Sequence, residues 1–233
     1  MTDVLSNAEW SALVLSLQVA GTAMAFGVPL AVFLAYALSR WNFPGKLILN
    51  VLIYLPLVLP PVVTGYVLLL GFGRTGPLGQ FFSESLGVGF AFQWTGAALA
   101  AGVMAFPLLL RPIKLAFDAA DPLLEEAARS LGTSRLKTFA IVTLPLALPG
   151  ILGGTILGFA KAMGEFGATI TFVSNIPGET RTLSLALYTE LQSVDGDAAV
   201  LRLAAISLLI SFVALGLSEL LARSIEARVR GRA

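Results

Sequence analysis

Few side chains in this sequence can do chemistry, and the types that are missing restrict function as much as those present. There is no Cys and no His. That removes thiol nucleophiles, disulfides, cysteine-rich zinc sites, Ser-His triads and imidazole proton shuttles together. The one Gly-Lys pair, Gly45-Lys46, is followed by Leu47 and lacks the earlier Gly of a GxxxxGK[ST] phosphate-binding loop, so ATP hydrolysis by that chemistry is not expected here. Carboxylates are not clustered, and neither a catalytic centre nor a metal site is expected.

Three groups of residues remain. Lys161 and Glu165 stand four apart within an apolar stretch, where ionisable groups face a bundle interior or water rather than lipid. They can form a structural pair on one helical face, or Lys161 can attract an oxyanion beside a path. Pro56, Pro60 and Pro61 fall inside another apolar stretch, where each removes an amide donor and kinks the helix, either for static packing or to bend it around a path. Thr64, Phe72, Thr169 and Thr171 are polar or bulky residues placed near such a path. The third group is the polar run Glu125-Glu126-Ala127-Ala128-Arg129-Ser130-Leu131-Gly132, followed by Leu144-Pro145. A short helix with small Ala faces and a Gly stop can seat in a groove of a soluble partner. The plainer alternative is a helix lying on lipid headgroups.

The elements that hold these residues follow from hydropathy. The 233 residues are 57% hydrophobic and 12% charged, with a net charge of +1. That is about half the charge of a soluble domain and too little to hold nucleic acid. A bilayer core takes roughly 20 apolar residues as helix. Five stretches qualify: residues 11–38, 47–70, 90–110, 141–168 and 203–222. The first is too long for a signal-peptide core and no basic segment precedes it. Between the third and fourth, residues 118–140 carry Leu123, Leu124, Ala127, Ala128 and Leu131 at helical spacing among charges, an amphipathic helix started by Asp121-Pro122 and stopped by Gly132. Residues 71–93 read as turn-rich coil around a short helix, 174–182 as a turn, and 183–192 as a helix too short to cross. Gly150, Gly154 and Gly158 form a stripe suited to helix packing.

Orientation follows from the basic residues. With the N-terminus outside, Arg40, Lys46, Arg111, Lys114, Arg129, Arg135, Lys137, Arg223, Arg228, Arg230 and Arg232 fall inside, and only Arg74, Arg181 and Arg202 outside. The positive-inside rule selects that topology, with the C-terminus cytoplasmic.

The run from Glu126 to Pro145 resembles the EAA loop of ABC-importer permeases: EAA, three residues, Gly, nine residues, Ile, one residue, Leu-Pro, with Val142 at the Ile position. The likeness extends over residues 13–221. RWNFPGK after the first stretch, LPLVLPP in the second and GEFGAT ending the fourth resemble the oxyanion branch, and LPLVLPPVV with GEFGATITFVSNIPGETRT is most similar to the molybdate permeases. The resemblance implies an all-α membrane protein of five transmembrane helices, residues 1–233 forming one permease domain with a cytoplasmic coupling loop at 118–140. It also implies a homodimer, a cytoplasmic ATPase pair that carries the ATP-Mg, an outer-face oxyanion-binding protein and a bacterial inner-membrane location. No cofactor is expected in this chain. A sulfate or thiosulfate permease is the nearest alternative. An ion-driven secondary transporter would call for inverted repeats and midplane carboxylates, which the sequence does not display.

Overall fold

The computed structural model describes residues 5–230, all helix and connecting coil. Helix α1, Asn7–Arg40, opens with a capping box in which Ser6 Oγ accepts from the Glu9 amide at 3.2 Å and Glu9 accepts from the Ser6 amide at 2.6 Å. Its 34 residues extend about 51 Å at 1.5 Å per residue, beyond the expected 11–38 at both ends.

Residues 47–70, expected as one kinked helix, form two: α2, Lys46–Val58, and α3, Pro61–Phe72. Pro56 stays inside α2. Pro60 and Pro61 break the helix rather than kink it. Proline disfavours α conformation in the residue before it, so Leu59 is extended at φ −70°, ψ 143°, and Pro61 begins the new helix at a position needing no amide donor. After α4, Pro77–Leu86, comes α5, Trp94–Ala119, which continues past the expected end at 110.

The loop at 118–140 holds α6, Pro122–Ser130, and α7, Arg135–Thr138. A π-helical turn, Phe139–Thr143, joins α7 to α8, Leu144–Met163. Residues 141–168 were expected as one span, but the helix ends at Met163 and α9, Gly167–Val173, starts afresh. Glu165 is therefore not on the α8 face with Lys161; it lies in the break. Then follow α10, Leu183–Leu191, and α11, Asp197–Arg230. Arg232 lies outside the described residues.

Among the described residues, α1, α5, the stretch Arg135–Met163 and Asp197–Leu217 are long and apolar enough to cross a membrane. Helices α2 and α3 are apolar but each is shorter than these four, so the expected count of five is approximately met.

Helix α5 sits at the centre, packed against α1 and α8, with α11 on the far side of α8 and α3 against α9. Small residues let these helices approach, as expected where packing rather than water drives association. Ala20, Ala31 and Ala35 of α1 and Ala97, Ala101 and Ala105 of α5 are buried. The glycine stripe of α8 is a packing face. A Cβ on Gly150 would lie 2.5 Å from the Pro112 carbonyl oxygen, one on Gly154 2.5 Å from that of Leu109, and one on Gly158 3.1 Å from Leu109 Cβ and Met24 Sδ.

Ion pairs mark the two ends of the bundle. Arg202, early in α11, donates to Glu9 Oε1 at 2.9 Å, at the start of α1. Arg40, ending α1, meets the segment after α5. Helices α1, α5 and α11 thus run one way and α8 the other. The outward faces of α2, α3 and α11 are apolar, with Leu47, Val58, Val62, Leu70, Leu208 and Phe212 exposed.

Candidate coupling loop and translocation path

The loop between α5 and α8 holds two short capped helices whose apolar side chains are exposed. Asp121 Oδ1 accepts from the Leu123 amide at 2.9 Å and caps α6, with Pro122 at its first position. Gly132, at φ +88°, turns the chain in the left-handed region that favours glycine. Thr133 Oγ1 then donates to the Ala128 carbonyl and lies 2.7 Å from Thr138 Oγ1, folding α7 back against α6. No residue of α6 is buried. Four leucines are held into open space: Leu123 at 66% exposure, Leu124 at 49%, Leu131 at 87% and Leu136 at 79%.

The structure separates the two glutamates that the sequence left together. Glu125 turns inward, its Oε1 accepting from Arg40 Nε at 3.1 Å, with both side chains half-buried. Glu126 is exposed, and its carboxylate has no hydrogen bond or ion pair among the described residues; only its carbonyl accepts, from Ser130 Oγ at 3.0 Å. Ala127 is exposed beside it, Ala128 half-buried, and Arg129 exposed with Nε donating back to the Glu125 carbonyl at 3.4 Å. Leu144 packs on the core at the base of α8, next to exposed Pro145. The π-helical turn just before them adds a residue to the helical ladder, an arrangement often found at functional positions.

The second group converges where the two broken helices meet. A Cβ on Gly65 of α3 would lie 2.5 Å from the Ala168 carbonyl oxygen, and one on Gly167 2.7 Å from Pro61 Cβ. The start of α3 thus rests on the start of α9. Glu165 is buried and its carboxylate is fully engaged, Oε1 accepting from the Ala168 amide at 3.1 Å and Oε2 from Lys161 Nζ at 2.6 Å. Lys161 is 30% exposed. Thr64 is buried with its hydroxyl unpartnered among the described residues, Thr169 is buried, and Thr171 Oγ1 donates to the Gly167 carbonyl at 2.8 Å. Pro60 and Pro61 are exposed and Pro56 is half-buried. Phe72 lies elsewhere, packed with Phe82 and Phe90 between α3 and α4.

Sequence reasoning counted Arg40 as a charge and as part of the RWNFPGK motif and missed its contacts, which cross 80 and 85 residues. No local signal marks them. In the turn before α10, Arg181 Nε donates to Asn175 Oδ1 at 2.9 Å, and Asn175 Nδ2 to Thr189 Oγ1 at 2.8 Å, a network that orders that turn.

The fold is shared with chains of ABC transporters of known structure. An amino acid ABC transporter matches with TM-score 0.64 and 24% identity over 93% of this chain and 94% of that one. A bacterial ABC transporter importing the acidic polysaccharide alginate matches with TM-score 0.70 and 20% identity, over 92% of this chain and 80% of that one. In sequence, the molybdenum transport system permease protein ModB of Escherichia coli (strain K12) is 51% identical over 94% of this chain and 96% of its own length. ModB of Haemophilus influenzae is 47% identical over 95% and 96%. The sulfate transport system permease protein CysT of Salmonella typhimurium is 34% identical over 84% of this chain and 71% of its own. The family model described as "binding-protein-dependent transport system inner membrane component" matches residues 27–227, from the middle of α1 through most of α11, and the chain is a multi-pass member of that family.

Proposed function

We propose that this chain is the membrane-spanning subunit of an ATP-driven importer of molybdate. The observation that carries the ATP-driven part is the arm at 118–140, two short capped helices and the turn between them with four exposed leucines and an exposed Glu126. Apolar surface of that kind on a charged, exposed helix calls for a groove in a partner. The partner is a separate cytoplasmic ATPase pair, since this chain has no phosphate-binding loop. Identity near one half along the whole length to relatives named for molybdenum transport supports the substrate, over the more distant sulfate permease.

Two copies of the chain enclose the path, an outer-face binding protein delivers the anion, and the N-terminus lies outside. ATP draws the ATPase pair together, the arms move with it, and the bundle changes from inward-open to outward-open. A permease must pass a doubly charged anion without holding it. Lys161 serves that need because Glu165 already neutralises it, leaving no deep uncompensated cation to trap the ion. Selectivity rests with the binding protein, and tungstate, of the same charge and shape, follows the same route.

Affinity purification of the tagged chain from its own cells is the test. An ATPase subunit should co-purify, and the complex should hydrolyse ATP faster when molybdate-loaded binding protein is added. A permease that transports without any ATPase would overturn the proposal in favour of an ion-driven carrier.

A further inference from the structure

Arg40 is the last residue of α1, yet its guanidinium joins three segments. Nε donates to Glu125 Oε1 at 3.1 Å, on α6, and Nη2 donates to the carbonyl of Ala120 at 2.8 Å, which caps the end of α5. The side chains of Arg40 and Glu125 are only 15% and 16% exposed, so salt screens this pair less than a surface pair. One turn deeper, the Tyr36 ring of α1 meets Phe117 of α5 at 5.6 Å and Phe139 of the π-helical turn at 5.1 Å, edge to face. Helix α6 makes no other side-chain hydrogen bond or ion pair to α1 or α5 among the described residues. Its far end is tied through Thr133 to Thr138 and so to the base of α8.

We infer that Arg40 is the strut through which displacement of the coupling arm enters the helix bundle, a positioning residue that forces α1 and the end of α5 to move with α6. Without it the arm remains docked on its ATPase but is joined to α5 only through the two-residue coil at Ala120 and Asp121 and to α8 through α7, and its motion is spent in the loop. The inference rests on the arm being the ATPase-docking element. Coupling carried through such a packed two-state joint is the physical requirement for driving a distant site.

The test uses the complete importer, permease with ATPase and binding protein, in proteoliposomes, reading molybdate uptake and ATP hydrolysis on the same sample. Arg40→Glu and Glu125→Arg place like charges together, and each should lower molybdate moved per ATP hydrolysed by roughly ten-fold while the ATPase still co-purifies. The double variant, with the charges exchanged, should recover most of that ratio. Glu125→Gln, which keeps the shape and one acceptor, should fall between and guards against loss of folding in the reversals. Lys114→Gln, removing the exposed pair with Asp118 within α5, should match the parent. Single variants with the parental ratio, or an exchanged pair no better than the singles, would overturn the strut. Failure of the docking proposal looks different: the parent itself would bind no ATPase.

Discussion

Changing Glu126 to Lys should lower molybdate uptake by about a hundred-fold, the cost of reversing one member of a desolvated charge pair at an interface, while leaving the protein in the membrane at its normal level. Glu126 and Glu125 are adjacent on α6, so their side chains diverge by about 100° around the helix. One reaches Arg40; the other has no partner within the described chain and lies three residues, one helical turn, from Leu123, exposed at 66%. Nothing inside the permease is lost by reversing its charge, so folding should be untouched. Uptake of labelled molybdate, with membrane abundance and co-purified ATPase measured in parallel, decides the matter. Normal uptake, or loss of the protein from the membrane, would contradict a docking role.

Gly154→Leu should instead remove the folded permease. A Cβ there would lie 2.5 Å from the Leu109 carbonyl oxygen and 3.2 Å from Ile113 Cγ1, and Leu109 and Ile113 are wholly buried in α5. A backbone atom in the central helix cannot turn aside, so α8 must separate from α5 along its length. The cost is about 3 kcal/mol or more, read as a lowered melting temperature in detergent and reduced membrane abundance. Gly153 supplies the control: nothing lies within 4 Å of a Cβ there, and Gly153→Leu should accumulate like the parent. Equal behaviour of the two variants would refute the packing assigned to the stripe.

Much of this was legible in the sequence because hydropathy and helix-end chemistry are local. The apolar stretches, the Asp121-Pro122 start and the Gly132 stop depend on residues within a turn of one another, and α6 forms where they place it. The breaks at Leu59–Pro60 and at Gly164–Phe166 were not legible as breaks. Both sides of each remain apolar, so hydropathy runs through them, and proline alone does not distinguish a bend from a restart. The restart holds because α3 and α9 support each other, Gly65 against Ala168 and Gly167 against Pro61. The pairing of Lys161 with Glu165 was foreseen from a spacing of four, but the reason it forms is different. The helix has ended by Gly164, and Glu165 folds back to serve Lys161 and the Ala168 amide together. The distinction between Glu125 and Glu126 depends on Arg40, and no local pattern reports a contact across 85 residues.

The central claim is tested most directly by uptake of labelled molybdate and labelled sulfate, at limiting concentration, in cells from which this gene has been deleted and in their parent. Loss of molybdate uptake with sulfate uptake intact, restored by the gene on a plasmid, is the result expected. Loss of sulfate uptake with molybdate uptake intact would keep the importer architecture and contradict the substrate.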